Sequence, residues 1–121
     1  MENLRTKGGS YEQRAAEYLQ SRGYEILQMN YRCRIGEVDI VARDGSYLVF
    51  LEVKYRRTTN RGLPVEAVGY AKQKKISAVA SYYLMSHGCL DNVSVRFDVV
   101  AILGEDIQLF QNAFSYVGYG R

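Results

Sequence analysis

The dipeptide Asp44-Gly45 sits between two runs of strand-forming residues, 38–43 and 46–55, and no other feature of the chain restricts its fold as much. Asp-Gly between alternating apolar runs is a strong hairpin signal, because glycine accepts the positive φ that a two-residue turn demands. A turn at Asp44 and Gly45 pairs Arg43 with Ser46, Asp39 with Phe50 and Glu37 with Glu52. Side chains alternate between the two faces of a strand, so Val38, Ile40, Val49, Leu51 and Val53 form one apolar face. Glu37, Asp39, Glu52 and Lys54 share the other face, which becomes apolar toward the turn with Val41, Leu48 and Phe50. Both faces are therefore covered near the turn, and the charges gather at the far end.

In this register Asp39 and Glu52 are diagonal neighbours, about 7–8 Å apart at the backbone. A one-residue slip would send them to opposite faces. Clustered carboxylates hold hard divalent cations, and a nearby lysine can poise water or steady a phosphate. This is the residue chemistry of phosphodiester cleavage. The same four side chains would also make an ordinary cross-strand salt-bridge ladder on a solvated face. The apolar flanks favour a site.

At 121 residues, 47% apolar and 24% charged, the chain has the size and balance of a single globular domain spanning 1–121. No apolar run is long enough to span a bilayer, and the polar start lacks a secretory pattern, so no membrane association and a cytoplasmic location are expected. Cys33 and Cys89 lack metal-ligand spacing and read as packing residues. His87 is the only histidine, which excludes a zinc constellation or a His-based acid–base pair. Of the positive charge, eleven Lys and Arg against eight acids fall in residues 1–62, and five against five in the rest. Arg32, Arg34, Arg56, Arg57 and Arg61 bracket the acidic strands and would draw a polyanion toward them. Lys72, Lys74 and Lys75 form either a solvated helix face or further phosphate contacts.

Ser10 and Gln13 read as a capping box that opens a helix ending near Ser21, with Ala15, Ala16 and Leu19 on its apolar stripe. Glu12 lies on that stripe one turn earlier and should face the sheet, although an acid there also complements the helix dipole. A strand is expected over 24–31. The basic loop 57–62 is a candidate to close over a ligand. A second helix is expected from Pro64 to about Ser86, packing through Val65, Val68, Ile76, Val79 and Tyr83, with His87 as a dipole partner at its end. Strands over 93–103 and 107–110 follow. The whole reads as α/β, a central mixed sheet flanked by helices.

The segments Tyr11-Glu12-Gln13-Arg14-Ala15-Ala16-Glu17, Gly36-Glu37-Val38-Asp39-Ile40, Leu51-Glu52-Val53-Lys54 and Val95-Arg96-Phe97-Asp98 resemble the bacterial YraN family, also called UPF0102. That family is similar to the restriction endonuclease-like, PD-(D/E)xK superfamily, which includes archaeal Holliday-junction resolvases. The resemblance implies a restriction endonuclease-like αβββαβ core. It implies that Asp39 and Glu52 are the metal-binding acids, with Glu12 and the Val53 carbonyl as further ligands of Mg²⁺ or Mn²⁺. Lys54 takes the place of the catalytic lysine, and Gln73 that of an assisting helix glutamine. Tyr11 departs from the glycine common before the first glutamate. A homodimer is implied by analogy with the resolvases.

The expectation is a metal-dependent endonuclease, a hydrolase acting on DNA, including branched DNA. Arg32, Arg34, Arg56, Arg57, Arg61 and Lys72 would contact the nucleic acid. The rival is a nucleic-acid-binding protein that keeps the scaffold without turnover, and a weaker third reading is a protein-interaction domain. Both leading readings predict salt-sensitive DNA binding; only the first couples it to metal-dependent scission.

Overall fold

The computed structural model describes residues 7–56, 68–88 and 93–118. Arg57, Arg61, Pro64, Val65, Cys89 and the expected loop 57–62 lie outside them. The order is α1 (Lys7–Ser21), β1 (Glu25–Arg32), β2 (Glu37–Asp44), β3 (Tyr47–Arg56), α2 (Tyr70–Ser86), β4 (Ser94–Leu103) and β5 (Asp106–Phe114). This is the expected α/β succession of a helix, three strands, a helix and two strands. Among the described residues no helix is long and apolar enough to cross a membrane.

The five strands form one sheet in the order β1-β2-β3-β4-β5. Hairpins make β1–β2, β2–β3 and β4–β5 antiparallel. The connection through α2 makes β3 and β4 parallel, from Tyr47↔Ser94 to Arg56↔Leu103, as a helical crossover between neighbouring strands does. Helix α1 covers one face with Ala15, Ala16 and Leu19 against Ile40, Val49 and Leu51. Helix α2 covers the other with Ile76, Val79 and Tyr83 against Val41, Phe50 and Phe97. The middle of β3 is buried from Leu48 to Glu52, as a strand covered on both faces requires.

Several boundaries differ from expectation. Helix α1 begins at Lys7, so Ser10 lies inside it rather than capping it. Helix α2 begins at Tyr70 after Gly69, which caps it without a side-chain bond, so Val68 packs in the core from the approach to the helix. Strand β5 runs to Phe114, past the expected end at Phe110. His87 does cap α2, with Nδ1 2.9 Å from the Tyr83 carbonyl oxygen.

The β2–β3 register also differs. Asp44 pairs with Tyr47 and Ile40 with Leu51, so the turn residues are Gly45 and Ser46, with Gly45 at φ 63°. The shift is two positions in pairing, and an even shift keeps every side chain on its face. Its consequence is that Asp39 stands opposite Glu52 instead of diagonal to it, and Glu37 is no longer opposite Glu52.

Val38 corrects the expected face assignment, because it packs with the α2-side cluster while Ile40 packs on the α1 side. Its ladder partner Tyr31 makes the same switch relative to Met29. Asn30, between those two, has a left-handed φ of 53°, which breaks strict alternation along β1. The register sets Asn30 opposite Asp39, so Asp39 sits where this strand pair exchanges faces.

Candidate functional site

Asp39 is held at the point where the β2–β3 ladder gives way. Regular pairing runs to Ile40↔Leu51, and beyond it the Val53 N–H donates to Asp39 Oδ2 at 2.8 Å. A side chain of β2 has thus replaced a carbonyl as the partner of a β3 amide. One oxygen of Asp39 is fixed by this bond.

Glu52 follows Leu51 on the α2 face and is 5% exposed. Its carboxyl group hydrogen-bonds that of Asp39, and Glu12, reaching in from the first turns of α1, hydrogen-bonds Asp39 as well. Burial raises the Asp39 pKa above the usual carboxylate range; bonds from Glu52 and the Val53 N–H oppose this, and the charge of Glu12 adds to it. Glu52 is pushed up to about 7, first by burial and then by the bond and charge of Asp39, with Lys72 acting against both. Two neighbouring carboxylates in a sparsely solvated position cannot both ionise without a proton or cation between them.

Lys72, on the first turn of α2, brings its Nζ to 3.0 Å from Glu52 Oε2. Partial burial works to lower its pKa, but Glu52, Asp39 and Glu37 together outweigh that and raise it. Lys54 extends from β3 two residues past Glu52, half-buried, and forms no hydrogen bond or ion pair with a described residue. Lys72 is therefore the lysine that meets the acids, while Lys54 stands two residues beyond Glu52 on β3.

The remaining sequence candidates divide. Gln73 Nε2 donates to the Val68 carbonyl at 2.8 Å, so it braces the approach to α2, and its neighbour Lys72 is the helix residue that meets the acids. Arg32 Nε donates to Glu37 Oε1 at 2.8 Å on the surface, which removes Glu37 from the pair. Arg34 is exposed beside the β1–β2 turn. Arg56 bonds the Tyr55 carbonyl. The bond that Val53 makes at the site is through its N–H.

Tyr11, the residue before Glu12, stacks on Tyr55 with ring centroids 4.0 Å apart. The stack joins the residue before Glu12 to the residue after Lys54, clamping α1 onto β3 beside the acids. Sequence reasoning did not anticipate it, since only the α1–β3 packing brings the two rings together.

A second buried acid was not anticipated as a cluster at all. Asp98, on the α1 side, accepts from Tyr24 Oη at 2.8 Å, from Arg96 and from the Asn112 N–H. Arg96 also bonds Asp44 at 2.8 Å. Burial first, with Asp98 assisting, pushes the Tyr24 hydroxyl up to about 12. Both Asp98 oxygens and the Tyr24 hydroxyl are hydrogen-bonded, which marks a structural network. Asp39 and Glu52, by contrast, set two acids against each other, with the Val53 N–H on one and the Lys72 ammonium on the other.

Among the described residues no three or more His, Cys, Asp and Glu side chains form a set able to close around one metal ion. The donor set is open: two facing carboxylates, with Glu12 behind one of them. A hard ion that keeps several of its waters, as Mg²⁺ does, suits such a set. Its charge would also offset the burial that holds both acids above their ordinary range.

A family model described as "Uncharacterised protein family UPF0102" matches residues 11–102, a span containing Glu12, Asp39, Glu52, Lys54, Lys72 and Gln73. A UPF0102 protein of Lachnoclostridium phytofermentans is 48% identical over 116 residues, covering 96% of this chain and 98% of the relative. A UPF0102 protein of Syntrophus aciditrophicus is 51% identical over 124 residues, covering 99% of this chain and 95% of the relative.

Proposed function

The chain belongs to the uncharacterised protein family UPF0102, and with that as premise we propose that it is a metal-dependent endonuclease that hydrolyses phosphodiester bonds in DNA, with branched DNA among its substrates. The carrying observation is the pair Asp39 and Glu52: facing carboxyl groups, bonded to each other and both raised in pKa where a cation would be welcome. We read the fold as restriction endonuclease-like on the same residues, with Asp39, Glu52 and Lys54 in the superfamily's motif positions.

A bound Mg²⁺ or Mn²⁺ would supply Lewis acidity and a water of lowered pKa. Around it the chain's own groups have distinct tasks. The Val53 N–H holds Asp39 in one orientation. Glu12 adds negative charge from α1. Lys54, without a protein partner among the described residues, is placed to orient the attacking water or to stabilise charge developing on the phosphate. Arg34 and Arg56, on either side of the acidic strands in sequence, add positive charge to this half of the chain. In this reading the protein works in the cytoplasm as a homodimer whose two sites address two strands.

A second reading is favoured by the open donor set: a nucleic-acid-binding protein that retains the scaffold without turnover. Incubating the protein with branched, single-stranded and duplex substrates and Mg²⁺ or Mn²⁺, beside Asp39→Asn, separates the two. Metal-dependent cleavage that Asp39→Asn lacks supports the nuclease. Salt-sensitive binding with equal absence of cleavage in both supports the second reading.

A further inference from the structure

Lys72 and Glu52 form an unequal ion pair: the lysine side chain is 45% exposed and the carboxylate 6%. The lysine side chain is nearly half exposed while its ammonium meets Glu52 at 3.0 Å, where Asp39 and Glu37 also act on it. Departure of the ammonium would leave Glu52 buried beside Asp39 with no positive partner, an arrangement that low-dielectric surroundings penalise heavily. The lysine can therefore leave readily only when another cation arrives.

We propose that Lys72 is the built-in counter-ion of the metal-free site, that a divalent cation displaces it from Glu52, and that the freed ammonium then serves as a contact for the substrate phosphate. This rests on the metal-dependent reading above. It adds a coupling: the cation that assembles the acidic site also releases a positive charge where the substrate binds. Helix geometry permits this, since Lys72 lies in the first turn of α2 and Lys75 follows one turn later on the same side. Lys75 packs its stem over Gly36, where an added Cβ would lie 3.0 Å from the lysine Cδ. The two lysines thus flank the route from the β1–β2 turn to the acids.

The test is Mn²⁺ titration by calorimetry at pH 8 of wild type, K72M, K72R and D39N, joined to mass-spectrometric acetylation rates of each lysine with and without saturating Mg²⁺. Melting curves confirm that each variant is folded. The proposal expects Mn²⁺ binding by wild type, none by D39N, binding about tenfold tighter by K72M because a competing charge is gone, and no tightening in K72R. It also expects Lys72 acetylation to rise severalfold with Mg²⁺ while Lys75 is unchanged. Wild-type binding with equal or weaker affinity in K72M, or Lys72 reactivity indifferent to saturating metal, overturns the exchange and leaves the metal reading intact. Failure of both wild type and K72M to bind Mn²⁺ removes the metal reading and the exchange together.

Discussion

Val53 donates its backbone N–H to Asp39 Oδ2 at 2.8 Å, so a strand amide that would otherwise continue the sheet is spent on aiming a carboxylate. The bond lies one step past the last regular β2–β3 pair, Ile40↔Leu51. It makes the end of the ladder and the position of the acid a single structural event.

Asp39→Asn keeps an oxygen to accept the Val53 N–H but removes the charge that faces Glu52. We expect metal-dependent cleavage and Mn²⁺ binding to be lost while the melting temperature in EDTA at pH 8 stays level or rises, by up to roughly 4 °C if about 1 kcal/mol of repulsion is relieved. A marked drop in melting temperature would show that the carboxylate is chiefly structural.

Stability without metal should fall as pH rises toward neutrality. Glu52 is pushed up to about 7 by burial and by Asp39, so the folded state binds its proton more tightly than the unfolded chain, whose glutamate titrates near 4.5. The benefit is complete below about 4.5 and lost as pH passes through 7, a change on the order of 2–3 kcal/mol. Chemical denaturation in EDTA from pH 5 to 8 measures it, and Glu52→Gln should flatten the slope. A wild-type slope that matches Glu52→Gln would count against the shift.

Lys54→Ala should leave folding and Mn²⁺ affinity nearly unchanged, because Lys54 pairs with no described residue. Cleavage should drop about 10²- to 10³-fold, the scale of losing one group that stabilises transition-state charge. Single-turnover kinetics on the best substrate provide the measurement; retention of full activity would reassign the lysine.

Asp98→Asn should behave in the opposite sense to Asp39→Asn. Asp98 is fully bonded to Tyr24, Arg96 and Asn112, so breaking the network should cost about 3 kcal/mol or more without altering Mn²⁺ affinity per folded molecule. Paired denaturation and calorimetry would reveal whether the two buried acids are in fact so different.

Gly36→Val should destabilise by about 1–3 kcal/mol through overpacking, whereas Gly36→Ala should cost less. The added Cβ lies 3.0–3.2 Å from the Lys75 stem, which can bend away, and 3.5 Å from Val79 Cγ2, so the extra methyl groups of valine have little room there. Equal melting temperatures for wild type and Gly36→Val would mean that α2 is not seated on this turn.

Much of the fold was legible because it rests on local chemistry. The Asp-Gly turn, the alternation along residues 38–55 and the helical spacing of Ile76, Val79 and Tyr83 each follow from neighbours in sequence, and each element formed. The register was read two places off because Asp44 remains in the strand and Ser46 enters the turn; the even shift left the acids on a common face. Val38 escaped the pattern because Asn30, on the partner strand, adopts a left-handed φ, a conformation with no mark in residues 36–54.

The chain alone therefore determined which residues become strands and helices, and that Asp39 and Glu52 fall near one another, because backbone periodicity acts over a few residues. Only the tertiary structure decided that Glu52 has Lys72 as its counter-ion, that Glu12 reaches Asp39, and that Tyr11 stacks on Tyr55. Those partners lie on elements joined by long stretches of chain, and they meet because two helices must bury their apolar stripes on opposite faces of the same sheet.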